Sequence, residues 1–333
     1  MNNSFLLKVK ALKKHFPVGG GFFRRRARGF IKAVDGVDLS VQKGETLGIV
    51  GESGCGKSTL GYCILRLEEP TSGQVVFEGK DILSRDRLSM QRLRRDMQII
   101  FQDPYSSLDP RKTVGRLVGE GFQIHGLLTP RERRAKVMEL LEIVGLLPEH
   151  FYRYPHEFSG GQRQRICISR ALALNPKLVI ADEPVSALDV SVQAQILNLL
   201  VSLQNRFQLT YLFISHDLGV VRHICDRIAV MYLGRIVEFA STRTLYAKPR
   251  HPYAASLLSA VPVPNPLRKR HRIQLAGDVP SPINTPSGCS FHPRCPQRQP
   301  ICPEEPPKQR EIDSQHQVAC HFPLGDQAHW CRV

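Results

Sequence analysis

Gly51-Glu52-Ser53-Gly54-Cys55-Gly56-Lys57-Ser58-Thr59 decides the fold of this 333-residue chain. The stretch satisfies G-x-x-x-x-G-K-[ST], a loop whose backbone N–H groups cradle phosphates. Glu45 to Val50 before it reads as a buried strand, and Leu60 to Leu67 after it as a helix. Glycines let the backbone bend tightly enough for successive N–H groups to face one anion, and the following helix offers its positive end to the same charge. Lys57 is expected to reach the β- and γ-phosphates and Ser58 to ligate Mg²⁺. The stretch predicts a nucleoside-triphosphate site.

Moving outward, two later stretches carry matching chemistry. Phe158-Ser159-Gly160-Gly161-Gln162 precedes a helix expected over Arg163 to Asn175, halted by Pro176. A serine and two glycines at a helix start make a second anion site of the same physical kind. Cys167, Ala171 and Leu174 fall on one face of that helix, which marks Cys167 as core. Leu178 to Ala181 is an apolar strand that delivers Asp182 and Glu183 at its C-terminal end, where open α/β sheets bind ligands. Asp182 suits Mg²⁺, and Glu183 suits polarising the attacking water. Thr210 to Ser215 is a further buried strand, tipped by His216 as a γ-phosphate contact.

The chain is long enough to bury a large core and carry an appendage. Its formal charge of +16 points to an anionic surface, nucleic acid or phospholipid. No stretch is long and apolar enough to span a bilayer, and Met1 to Lys10 lacks the layout of a signal peptide. A cytoplasmic protein, free or held at a membrane by a partner, is expected, and such a compartment argues against structural disulfides.

Strands are expected over Phe5 to Phe16, Val34 to Val41, Gly73 to Phe77 and Met97 to Phe101, the last ending at Gln102. Arg24-Arg25-Arg26-Ala27-Arg28 with Phe22 and Phe23 forms a basic loop, either solvated or touching lipid headgroups. Asp103 to Pro110 is rich in turn residues, and Pro130 to Leu146 has the spacing of an amphipathic helix. Ser186-Ala187-Leu188-Asp189 turns into a long helix, and Leu233 to Glu238 reads as a short strand pair.

With these motifs in order the chain, from about residue 5 to 245, resembles the ATP-binding subunits of ABC transporters. The expected fold class is α/β, a P-loop NTPase with an antiparallel β subdomain, a helical subdomain over about 103–160 and a Cys/Pro-rich C-terminal extension from 246 to 333. The resemblance implies two such subunits sandwiching two ATP molecules head to tail. Ser159, Gly160, Gly161 and Gln162 of one chain would then close over the γ-phosphate held by Lys57 of the other. Gly51, Ser53, Gly54, Cys55, Gly56, Lys57, Ser58 and Thr59 would bind the nucleotide with Asp182, and Phe16 would stack on adenine. Gln102 would join Ser58 and Asp182 at Mg²⁺ and couple the nucleotide to a groove, floored by Asp103 to Pro110, for a membrane subunit. Phenylalanine opens the signature where leucine is commoner in the family, and it keeps a bulky apolar anchor.

Beyond residue 245, His251-Pro252-Tyr253 opens a helix running to Pro262. The tail holds 13 of the 24 prolines between Pro262 and Pro323, so it is a loop-rich module; Arg268-Lys269-Arg270-His271-Arg272 reads as a solvated linker. Pro280 to Asn284, Ser287-Gly288-Cys289 and His292 to Pro296 resemble the extension of dipeptide and oligopeptide importer ATPases. That resemblance implies a heterodimer with a second homologous ATPase, two transmembrane permease subunits and an extracytoplasmic peptide-binding protein. It places the chain peripherally on the cytoplasmic face of the inner membrane, with no nucleic-acid partner. Alternatives are an importer for another peptide-like or chelated solute, and a soluble ATPase acting on nucleic acid or ribosomes, which salt-sensitive RNA binding would favour.

Cys289, Cys295, Cys302 and Cys320 lie in a tail too poor in apolar residues to hold itself by burial, so some cross-link is expected. Zinc is one candidate, although no C-x₂₋₄-C pair is present; proline after Cys295 and Cys302 gives a weak iron–sulfur signal. Free thiols remain the simplest alternative, with His292, His321 and Cys331 as spare ligands. The family resemblance implies a [4Fe–4S] cluster on these four cysteines.

Overall fold

The computed structural model describes residues 5–19, 29–261 and 273–325. The basic loop at Arg24 to Arg28, the linker at Arg268 to Arg272, Pro262 and Cys331 lie outside them. The chain forms two compact units. The first takes the described residues of Met1–Val41, Thr46–Leu83 and Ile214–Val333, and the second takes Gln42–Glu45 and Ser84–Phe213. The tail expected as a module of its own after residue 245 therefore shares a unit with the phosphate loop.

In the first unit, strands Phe5–Val18, Gly29–Gln42, Ser72–Phe77 and Lys80–Asp81 form an antiparallel sheet. Leu7 faces Phe77 and Val9 faces Val75 across it, and all four side chains are buried. Alternating apolar residues fix that register, because a slip of one residue would turn each of them to solvent. The phosphate-loop strand Thr46–Val50 runs parallel to Arg227–Tyr232. Every residue of Thr46–Val50 is buried, the continuous apolar pattern of a strand covered on both faces. Arg235–Ser241 returns antiparallel to Arg227–Tyr232 through a tight turn at Leu233-Gly234.

The tail then extends this same sheet, since His316–Val318 pairs antiparallel with Arg235–Ser241 and Arg310–Asp313 follows it. A buried carboxylate fixes the join. Glu238, fully buried, accepts from the backbone N–H of Arg250 and of His251 and lies 2.7 Å from Nε2 of His316. Both carboxylate oxygens thus regain hydrogen-bond partners in place of water, without which burying a carboxylate would cost several kcal/mol.

The second unit holds the strands Met97–Ile100 and Leu178–Asp182 in parallel, and the chain leaves this unit within the strand Thr210–Ser215. Around them stand helices Val114–Ile124, Pro130–Ile143, Gly160–Leu172 and Val190–Phe207. Pro130 sits at the first helical position, and Thr129 with Glu132 forms a capping box before it, so proline removes only an N–H that had no helical partner. Asp103 to Pro110, expected as turns, contains a single helical turn, Pro104–Ser107. The Asp103 carboxylate caps it by accepting from the N–H groups of Tyr105 and Ser106. Among the described residues no helix is long and apolar enough to cross a membrane.

Candidate functional site

The phosphate loop leaves Val50 and enters the helix Lys57–Ile64. Its last hinge is Gly56 at φ +104°, where a Cβ would collide with the Ala33 carbonyl; only glycine fits there. The cap residue is itself a glycine and offers no side-chain acceptor to this helix start, unlike the Ser, Thr, Asp or Asn common there. Lys57 is 5% exposed and its ammonium donates to the carbonyls of Gly51 (2.9 Å) and Glu52 (3.0 Å). Cys55 is buried beside it, and desolvation pushes its thiol pKa up, so it packs and does not react. Phe16 is half-buried with the Lys14 ammonium 4.6 Å from its ring centroid. His216 is exposed at the end of Thr210–Ser215, just before Asp217 caps the next helix.

In the second unit Asp182 is fully buried, and Glu183 follows it at φ +45°. A left-handed glutamate costs roughly 1–2 kcal/mol, and the bend turns the chain off the strand axis at the point where the carboxylate emerges. Gln102 Nε2 donates to that carboxylate at 2.8 Å. The two residues stand 81 apart in sequence, so folding joins what the motifs named separately.

The signature helix Gly160–Leu172 begins with a complete capping box. Ser159 Oγ accepts from the Gln162 N–H (3.4 Å), and Gln162 Oε1 accepts from the Ser159 N–H (3.0 Å). Phe158 is buried, with the His150 ring edge-on at 5.0 Å; the bulky apolar anchor is in place. One face of this helix grips the turn Pro104–Ser107. Arg163 lies over the Tyr105 ring (3.9 Å), Cys167 Sγ is 3.3 Å from Ser107 Oγ, and Arg170 donates to the Ser107 carbonyl (2.6 Å). Cys167 is fully buried, as its helical spacing predicted. Nearby a groove of about 470 Å³ is lined by Arg87, Arg94, Arg170 and Glu120 among apolar residues including Ile99 and Ile124.

The four tail cysteines are thiols that share one neighbourhood. Cys289 and Cys302 are buried and joined by a backbone hydrogen bond of 2.7 Å. Burial first, then the adjoining cysteines, raises the pKa of Cys289 and of Cys295, and brings Cys320 to about 12. Among the described residues no three His, Cys, Asp or Glu side chains converge closely enough to hold a metal ion as placed. His292 and His321 instead engage the carbonyls of Cys289 and Glu305. Sequence reasoning did not find Arg294, which binds the Glu52 carboxylate with two nitrogens; a lone arginine in a Pro-rich tail gives no signal of its partner.

Residues 34–186 match the ABC transporter family, and residues 237–302 match the oligopeptide/dipeptide transporter C-terminal region. The chain is 56% identical over 325 residues to the oligopeptide transport ATP-binding protein AppF of Bacillus subtilis, covering 96% of this chain and 98% of that one. It is 53% identical over 316 residues to a probable peptide ABC transporter ATP-binding protein, y4tS, of Sinorhizobium fredii, covering 95% and 89%. Among solved structures it resembles the ATP-binding cassette MJ0796 in a dimeric post-hydrolysis state with ADP and Pi. That likeness has a TM-score of 0.63 and 31% identity, over 71% of this chain and 99% of that one. The cbiO1 protein of Clostridium perfringens, part of a cbiONQ complex, gives the same TM-score at 29% identity, covering 73% and 91%. With its phosphate loop, signature helix and tail all in place, the chain belongs to the ATP-binding subunits of ABC transporters, in the branch that carries the oligopeptide/dipeptide C-terminal region.

Proposed function

We propose that this chain hydrolyses ATP to drive the uptake of dipeptides or oligopeptides. The observation that carries the reading is one compact unit holding both the phosphate loop and the peptide-transporter tail, the latter paired strand to strand with the ATPase sheet. Lys57 and the loop's N–H groups hold the β- and γ-phosphates, with Phe16 against adenine and His216 at the γ-phosphate. Ser58, Asp182 and Gln102 would hold Mg²⁺, and the ion would offset charge that develops on the transferring phosphoryl group. Glu183 accepts a proton from the attacking water, and Gln102, hydrogen-bonded to that carboxylate, orients it. Ser159, Gly160, Gly161 and Gln162 serve the nucleotide of a second, homologous ATPase subunit.

The partners are that subunit, two permeases and an extracytoplasmic peptide-binding protein, with the chain peripheral on the cytoplasmic face of the inner membrane. The groove beside the turn Pro104–Ser107 suits a short permease helix, and its three arginines against one glutamate favour a helix bearing a carboxylate. Reconstitution with both permeases and the binding protein tests the reading. Peptide should raise ATP turnover and enter the vesicles, and ATP hydrolysis indifferent to every peptide would overturn the substrate class.

For Cys289, Cys295, Cys302 and Cys320 the reading is a [4Fe–4S] cluster. The support is four thiols gathered in one neighbourhood of a tail with few buried apolar side chains, no disulfide among the described cysteines, and a soft donor set suited to iron–sulfur or zinc. Bound there, a cluster would cross-link the tail. Anaerobically purified protein should be brown with about four iron atoms per chain; colourless protein with one zinc would replace the cluster by zinc.

A further inference from the structure

We infer that Arg294 of the C-terminal tail is a positioning residue for the phosphate loop, acting through Glu52. The inference rests on reading the loop as the ATP phosphate site. Arg294 is 9% exposed and ends the short helical turn His292–Arg294, between Cys289 and Cys295. Its Nη1 and Nη2 reach the two carboxylate oxygens of Glu52 at 2.7 and 3.1 Å. A two-pronged guanidinium–carboxylate pair fixes orientation as well as distance, and low exposure spares it the screening that weakens surface pairs.

A second contact from the tail holds the same residue. The Glu52 N–H donates to the Tyr253 hydroxyl at 2.9 Å, and Tyr253 is fully buried in the helix Pro252–Ser259. Tyr232, Tyr253 and Phe291 pack as one aromatic cluster, with ring centroids 4.7 to 5.4 Å apart. The tail thus grips both the backbone and the side chain of the second residue of the loop. Across the peptide unit, the carbonyls of Gly51 and Glu52 receive the Lys57 ammonium. Anything that lets Glu52 rotate also moves two acceptors that set where Lys57 rests. Gly288, just before Cys289, sits at φ +62°, where a Cβ would collide with the backbone of Cys302 and Pro303.

The test compares ATP affinity of the full chain and its variants by titration with a fluorescent ATP analogue. Arg294→Met and Glu52→Gln are each expected to weaken binding on the order of 10-fold, as for loss of one charged hydrogen-bonded pair. Their combination should weaken it no further, because both remove one contact, and Arg294→Lys should recover part of the loss. Additive losses would overturn the inference, as would wild-type affinity in Arg294→Met. Should Arg294→Met not fold, Glu52→Gln decides alone, since it leaves the tail intact; wild-type affinity there counts against the inference. Lys57→Ala distinguishes the underlying reading. If it binds ATP as well as the parent does, the phosphate-site assignment fails, whatever Arg294 does.

Discussion

Two helix starts in this chain look alike in sequence and are built differently. Both carry glycine at their start and both read as anion sites. The helix Lys57–Ile64 has Gly56 at its cap, a residue with no side-chain acceptor to offer. The helix Gly160–Leu172 has Ser159 and Gln162 satisfying each other in a closed box. At the first, the cap residue brings no side-chain acceptor, and a bound anion can supply one. The second is self-sufficient: Ser159 Oγ is already an acceptor for the Gln162 N–H, yet its own hydroxyl proton stays available. A lone chain should therefore bind ATP at the first and use the second only when another subunit brings a nucleotide to it.

The largest expected effect isolates hydrolysis from both starts. Glu183→Gln should leave ATP binding intact and lower turnover by at least ~100-fold in the assembled transporter, the scale of a lost general base. Turnover near the parent rate would mean that the partner's site carries the reaction or that Glu183 is not the base.

Ser159→Ala strikes the boxed start. Steady-state ATPase of the assembled transporter should fall roughly 10-fold, through loss of a hydroxyl donor to developing charge. ATP affinity of the isolated chain should stay unchanged, with about 1 kcal/mol lost from folding stability as the cap goes. Weakened ATP binding by the isolated chain would erase the distinction between the two helix starts.

Arg170 of the signature helix lines the groove and holds the Ser107 carbonyl, and Asp103→Lys breaks the cap of the turn Pro104–Ser107. Transport per ATP hydrolysed should drop several-fold while nucleotide affinity holds. Equal loss of both in flux and binding measurements would indicate a misfolded second unit.

The smallest effect probes the tail that braces the uncapped start. His251 is fully buried, and desolvation lowers its pKa to about 3 from 6.5. The unfolded chain therefore binds one more proton than the folded chain between pH 6.5 and 3. Stability falls as pH drops through that window, by at most about 1.4 kcal/mol per pH unit from this group. His251 also caps the helix of Tyr253, accepting from the Tyr253 N–H at 3.0 Å. Denaturant midpoints of His251→Asn should show a shallower acid slope than the parent's; an unchanged slope would assign the acid sensitivity elsewhere.

The sequence by itself determined the ATPase fold and named the candidate site, because those signals are local. A glycine that must adopt positive φ, a serine three residues before a glutamine, and an apolar strand ending in two carboxylates each declare themselves within a dozen residues. Element ends moved by a few residues: the first helix begins at Lys57 and not Leu60, and the signature helix starts at Gly160 and stops at Leu172. Backbone hydrogen bonds set those ends, and composition does not show them. What only the tertiary structure decided is long-range. Gln102 meets Glu183 across 81 residues, Arg294 meets Glu52 across 242, and His316 meets Glu238 across 78. Periodicity cannot announce such pairs, since each partner is an ordinary polar residue in its own neighbourhood. Only the packing of the tail shields the Arg294 and His316 pairs from water, which makes those polar contacts specific.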